Sequence, residues 1–167
     1  MLNAALLLVF PGAMALAASL DFFTMTIPNR LTIAFAVLFF PAAYFAGLAP
    51  AEIGMHVAAG AAVLVVSFAF FAFGWIGGGD AKFVAAVALW LGWSNLLEYA
   101  LLFSLLGGAL TLVILSVRRY PLPFMLTRAD WAVRLHDSKT GIPYGIALAV
   151  AGFMVYPTTA WMDAFVR

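Results

Sequence analysis

Two of the seven acidic residues stand at the edges of long apolar runs, Asp21 at the end of the first and Asp80 at the start of the fourth. Ionisable groups within or beside membrane-length runs are costly and are mostly retained for function. Two carboxyl groups held close together cannot both ionise easily, so such a pair shares a proton. The ionised member can take a proton from water while the protonated member polarises a peptide carbonyl. That is aspartic-protease chemistry, and it needs no metal and no cofactor. Taken singly, each aspartate reads first as a helix-end residue facing interfacial water.

The surroundings of Asp80 add to the case. Gly77-Gly78-Gly79-Asp80 forms a Gly-x-Gly-Asp pattern at the mouth of a helix. Glycine permits close backbone approach and positive φ, so a substrate strand could lie against this segment. Tight helix packing would use the same residues. Which aspartate would hold the proton is left open.

These residues need elements to carry them, and the composition says what kind. The chain is 66% hydrophobic and 9% charged, against about 25% charged in a soluble domain. A water-soluble protein of this length could not hide so much apolar surface. Crossing roughly 30 Å of hydrocarbon takes about 20 apolar residues in a helix. Six runs qualify, at approximately 2–20, 31–47, 53–73, 81–94, 97–117 and 143–162. The expected fold is all-α: a polytopic membrane bundle of about six transmembrane helices, forming one membrane-embedded domain over residues 1–167. A single helix over 81–117 would be near 55 Å long, too long for the bilayer, so a turn is expected around Gly92, Ser94, Asn95 and Glu98. Trp90 and Trp93 suit an interfacial belt there. No basic residue precedes Arg30, so the first run reads as a retained span and not a secretory signal.

Seven of the eight basic residues fall on one side of this arrangement: Arg30, Lys82, Arg118, Arg119, Arg128, Arg134 and Lys139. The remaining one, Arg167, falls on the other. The positive-inside rule therefore orients the chain with both termini outside. Asp21 and Asp80, 59 positions apart, then share a depth at the cytoplasmic ends of their helices. In the long basic loop, Thr127-Arg128-Ala129-Asp130 reads as a capping-box-like helix start. A short helix toward His136 would put Trp131 and Leu135 on one face, with Arg128 and Arg134 toward lipid phosphates. An irregular loop is the other reading.

Three motifs in order carry a resemblance. Asp21 followed by Ile27-Pro28-Asn29-Arg30-Leu31-Thr32, then Gly77-Gly78-Gly79-Asp80-Ala81-Lys82, then Ile142-Pro143-Tyr144-Gly145, resembles the prepilin peptidases. These are the Gly-x-Gly-Asp membrane aspartic proteases of type IV pilus systems. The resemblance spans nearly the whole chain, and the small size is similar to the tight-adherence (Flp pilus) subtype. It implies cleavage of short basic leader peptides from prepilins or pseudopilins, just after a glycine, on the cytoplasmic side of a bacterial inner membrane. It also implies Asp21 and Asp80 as the catalytic pair. Bifunctional members carry a cysteine-bearing segment between the first two spans. Here that loop is short and the chain has no cysteine, so N-methylation is not implied.

The other motif residues have physical roles to test. Pro28 suits the first turn of the second helix. Asn29 could bond backbone near Asp21 or cap that helix. Lys82 could hold a lipid phosphate, tune Asp80 or snorkel as an anchor. Pro143 would shape the start of the last helix, and Tyr144 reads as an interfacial anchor or a site residue. His56 and His136 fall on opposite sides of the membrane, so they do not form one metal site. A net charge of +1 argues against nucleic acid as a partner. The expected partners are the prepilin substrate and membrane lipid, with oligomeric state unread. Two other classes are compatible with intramembrane carboxylates: a proton-coupled transporter, and a non-catalytic subunit of a pilus or secretion assembly.

Overall fold

The computed structural model describes residues 2–166; Arg167, assigned above to the outer side, lies outside them. The described residues form helices α1 (Leu2–Thr24), α2 (Asn29–Phe45), α3 (Pro50–Ala72), α4 (Gly78–Val117), α5 (Asp130–His136), α6 (Tyr144–Val155) and α7 (Ala160–Val166). The fold is an all-helical membrane bundle. Helices α1, α3 and α4 are long and apolar enough to cross a membrane, while α2 and the stretch Tyr144–Thr158 are shorter apolar helices. Apolar side chains such as Leu105, Val65 and Phe68 stay exposed on its surface, as lipid-facing residues do.

Helix α4 is two arms. At Gly92 the backbone takes φ 66° and ψ −174°, a left-handed geometry that L side chains resist. Asp80 and Gly107 line one cavity, yet a straight helix would hold them roughly 40 Å apart. The arms 78–91 and 93–117 therefore fold back on each other. The turn falls at Gly92, a few residues before the expected gap between runs four and five. The sixth expected run is likewise divided: α6 ends at Val155, a 3-10 turn with Pro157 follows, and α7 begins at Ala160.

A helix interrupted in hydrocarbon strands its carbonyls, because no water is there to receive them. The break at Gly92 removes the usual i+4 partners of the Leu89 and Trp90 carbonyls. Side chains replace both. His56 Nδ1 donates to Leu89 O at 2.8 Å, which assigns the proton to that nitrogen. Trp161 Nε1 donates to Trp90 O at 2.6 Å. Pro11 in α1 has no N–H for the Leu7 carbonyl, and the Tyr156 hydroxyl donates there instead, at 3.2 Å. These donors sit in an aromatic core. Phe10 stacks on Tyr156 at 4.5 Å and Phe35 on Trp90 at 5.1 Å, while Trp161 lies 5.0 Å from Trp90. Trp90 is thus no belt residue: it is fully buried and donates to Phe35 O. Trp93, beyond the turn, is half exposed.

The basic loop does form the short helix α5, but without the expected capping box. Ala129 is its N-cap with no side-chain bond, and the Thr127 hydroxyl bonds Phe124 O instead. Trp131 packs on Phe22 at 5.2 Å. Arg134, expected at lipid phosphates, donates to Phe23 O at 2.8 Å, where it satisfies a carbonyl of the last turn of α1. Arg118 at the end of α4 donates to Leu135 O and Gly141 O, tying α5 and the lead-in to α6 onto the bundle.

Replacing His56 by Phe leaves the Leu89 carbonyl buried and unpaired, and should lower stability by about 1–3 kcal/mol. Gly92→Ala adds a Cβ 2.8 Å from the His56 ring and should cost at least about 1–3 kcal/mol for the left-handed backbone alone. Denaturant unfolding in mixed micelles, followed by tryptophan fluorescence, measures both.

Candidate active site

The site is assembled at the end of the bundle where α1 finishes and α4 and α6 begin. Asp21 lies in the last turn of α1 and is 4% exposed. The chain then turns through Met25, whose φ is 55°, and its amide donates back to Asp21 O at 2.8 Å. This turn brings Ile27 into the core. The Ile27 backbone packs on Gly79, where a Cβ would stand 3.4 Å from its N and O. The ends of α1 and α4 meet through that contact, and Asp80 is the next residue.

The glycines before Asp80 serve close approach and not positive φ, which occurs among the glycines only at Gly47, Gly74 and Gly92. A Cβ on Gly77 would meet Asp80 Oδ2 at 3.0 Å, and one on Gly78 would meet the Phe71 ring at 3.1 Å. Gly77 thus leaves room for the carboxylate, while Gly78 and Gly79 serve packing. From α3, the buried Ser67 hydroxyl donates to Ala81 O at 2.9 Å and holds the start of α4 in place.

Helix α6 supplies the third motif. Pro143, fully buried, is its N-cap residue. Gly145 N donates to Asp21 Oδ2 at 2.6 Å, a bond from the first turn of a helix, where the dipole favours a carboxylate. A Cβ on Gly145 would lie 2.8 Å from both Asp21 Cβ and Oδ2, so the bond requires the absence of a side chain. The Tyr144 ring packs against Gly107, where a Cβ would stand 3.1 Å from it, and the Tyr144 hydroxyl pairs with Thr111 at 3.0 Å. Tyr144 is therefore part of the site wall.

Asp80 opens onto a cavity of about 620 Å³ between α3, both arms of α4 and α6. Its walls are mostly apolar, with Trp75, Ser104 and Tyr144 among the groups able to hydrogen-bond. Asp21 is bonded to Gly145, the neighbour of the cavity-lining Tyr144, and the turn after Asp21 packs on Gly79, the neighbour of Asp80. Two carboxyl groups thus stand at one end of the bundle, Asp80 lining open space and Asp21 anchored to a backbone N–H. That arrangement can position a water and move a proton. Among the described residues no group of three or more His, Cys, Asp and Glu could hold a metal.

Pro28 sits one position earlier than expected, as the N-cap residue of α2. Asn29 neither caps α2 nor reaches the Asp21 backbone; its Oδ1 accepts from Lys82 Nζ at 3.1 Å. Ser67, Ser104, Gly107 and Thr111 were not singled out from sequence. Ala100, Ser104 and Gly107 follow helical spacing along one face of the second arm of α4, and that run of small residues is the signal that could have marked it.

The sequence pattern of the Type IV leader peptidase family matches residues 8–112, a stretch that holds both aspartates. A prepilin leader peptidase/N-methyltransferase of Aeromonas hydrophila is 31% identical over 157 residues, which cover 89% of this chain and 46% of that protein. The chain thus spans about half the length of this curated relative. No solved structure matches it. With the family pattern covering well over half of the residues, including the Asp21 and Asp80 segments, the chain belongs to the type IV leader peptidase family.

Proposed function

We propose that this protein is a membrane aspartic endopeptidase that removes the basic leader peptide from type IV, Flp-like prepilins. Cleavage takes place at the cytoplasmic face of a bacterial inner membrane, with Asp21 and Asp80 as the catalytic pair. The observation that carries this reading is that two acidic residues, 59 positions apart in the chain, stand at one end of the bundle, Asp80 on a cavity lined by Tyr144 and Asp21 bonded to the adjacent Gly145. Family membership supports the substrate class. The basic residues gathered at the same end of the bundle support the sidedness through the positive-inside rule. Lys82, Arg118 and Arg134 all make their contacts there.

In this mechanism the two carboxyls share one proton and hold a water between them. The ionised carboxylate takes a proton from the water as its oxygen attacks the scissile carbonyl carbon. The protonated carboxyl donates to the carbonyl oxygen, giving a neutral tetrahedral intermediate. Collapse breaks the C–N bond, and the amine leaves with a proton returned by the carboxyl that received it. Gly145 N–H orients Asp21 throughout, and the apolar cavity walls keep bulk water away.

Purified Asp21→Asn and Asp80→Asn variants should each lose cleavage of a purified prepilin by about 10²–10⁴-fold. Undiminished activity in either would defeat the dyad, and proton flux into proteoliposomes abolished by Asp80→Asn, without cleavage, would favour transport. Gly145→Ala should slow cleavage by about 10²-fold by displacing the Asp21 carboxylate. Gly108→Ala, where an added Cβ meets nothing within 4 Å, should cleave at the wild-type rate in the same assay.

A further inference from the structure

Away from the dyad, a second cavity of about 460 Å³ runs between α2, α3 and the first arm of α4. Its polar lining residues, Asn29, Thr32 and Lys82, lie at one end, in the first two turns of α2 and α4. Beyond them the walls are apolar, formed by Ile33, Ala36 and Phe40 on one side and Ala61, Leu64 and Leu89 on the other. From Asn29 to Phe40 the groove follows about 16 Å of helix axis, close to half of the roughly 30 Å hydrocarbon thickness. It is one leaflet deep.

The polar end carries unspent hydrogen-bonding capacity. Lys82 Nζ donates to the neutral Asn29 amide oxygen, and no carboxylate pairs with it among the described residues. Two of its three donors remain. Thr32 is 7% exposed, and its hydroxyl is buried without a partner. A helical threonine hydroxyl usually bonds the carbonyl four residues back. Here the Pro28 carbonyl already accepts the Leu31 and Thr32 amides, at 3.0 and 3.3 Å. Threonine has two accessible χ1 wells in a helix, so this hydroxyl can turn toward a ligand in the groove.

We propose that this groove binds an anionic phospholipid, its phosphate held by Lys82, Asn29 and Thr32 and one acyl chain laid along α2. The lone cation above an apolar channel complements an anionic headgroup above a hydrocarbon tail. A transmembrane peptide would need a groove of full bilayer depth. A bound lipid would bridge the starts of α2 and α4 beside the Asp80 turn. The site depends on membrane residence and not on the proteolytic reading, because binding is measured without substrate.

The test is native mass spectrometry of protein released from nanodiscs that contain equal phosphatidylglycerol and phosphatidylcholine. Wild-type protein should retain phosphatidylglycerol in preference. Lys82→Gln should reduce that retention by about tenfold. Ala61→Phe should do the same by filling the groove with the charge intact. Arg30→Gln, a neighbouring cation outside the groove lining, should stay within about twofold of wild type. Wild-type retention in Lys82→Gln would overturn the proposal, as would an equal loss in Arg30→Gln. A photocrosslinker at position 61 that captured a second copy of the chain in place of lipid would also overturn it.

Discussion

In hydrocarbon a broken helix has no water to turn to, and every carbonyl it strands must find a donor within the protein. This bundle loses a helical N–H at Pro11, breaks α4 at Gly92, and answers with three long-range side-chain donors. Tyr156 reaches Leu7, His56 reaches Leu89 and Trp161 reaches Trp90. Each bond joins elements that neither local helix propensity nor generic apolar packing would bring into one fixed register. Apolar contact alone specifies little inside a membrane, because lipid tails are as apolar as leucine.

The geometry at the other end of the bundle follows from that register. Because α4 reverses at Gly92, its two arms run side by side, and Asp80, Ser104 and Gly107 reach one level. Tyr144 packs on Gly107, which seats the start of α6, and Gly145 can then offer its N–H to Asp21. The Ile27 turn against Gly79 closes the arrangement from the α1 side. The proposed dyad is therefore held by backbone contacts at positions without side chains, and by one carboxylate bond 2.6 Å long. Such contacts are stiff, which suits a site that must hold water and two acids in fixed relation.

The basic end of the molecule is more internally committed than its composition suggests. Arg118 donates to several acceptors of the loop and Arg134 donates to one backbone carbonyl of α1. In a region of low dielectric, carbonyls at helix ends are strong acceptors, and arginine can reach several at once. Lys82 meets only a neutral amide oxygen and keeps donors to spare.

Several features were legible in the residues alone. The hydropathy and the scarcity of charge led to a helical membrane bundle, because only helices and closed barrels can cross lipid. The length limit on a span required a break near Gly92, and the charged residues singled out Asp21 and Asp80. The Pro-Tyr-Gly motif marked the start of the sixth run, and α6 begins at Tyr144. Pairwise contact was not legible. Trp90 reads as a belt residue from its place near a span end, yet it sits at the centre of the core. Asn29 was matched to Asp21 or to a cap, and it meets Lys82. Hydropathy reports how deep a residue lies and not which neighbour it faces. The sequence by itself determined the solvent, the elements and the chemically costly residues, since those follow from local composition and length. Only the tertiary structure decided which helices adjoin and that Gly145 is the group on Asp21, because those depend on contacts between residues distant in the chain, 124 positions apart in the case of Gly145 and Asp21.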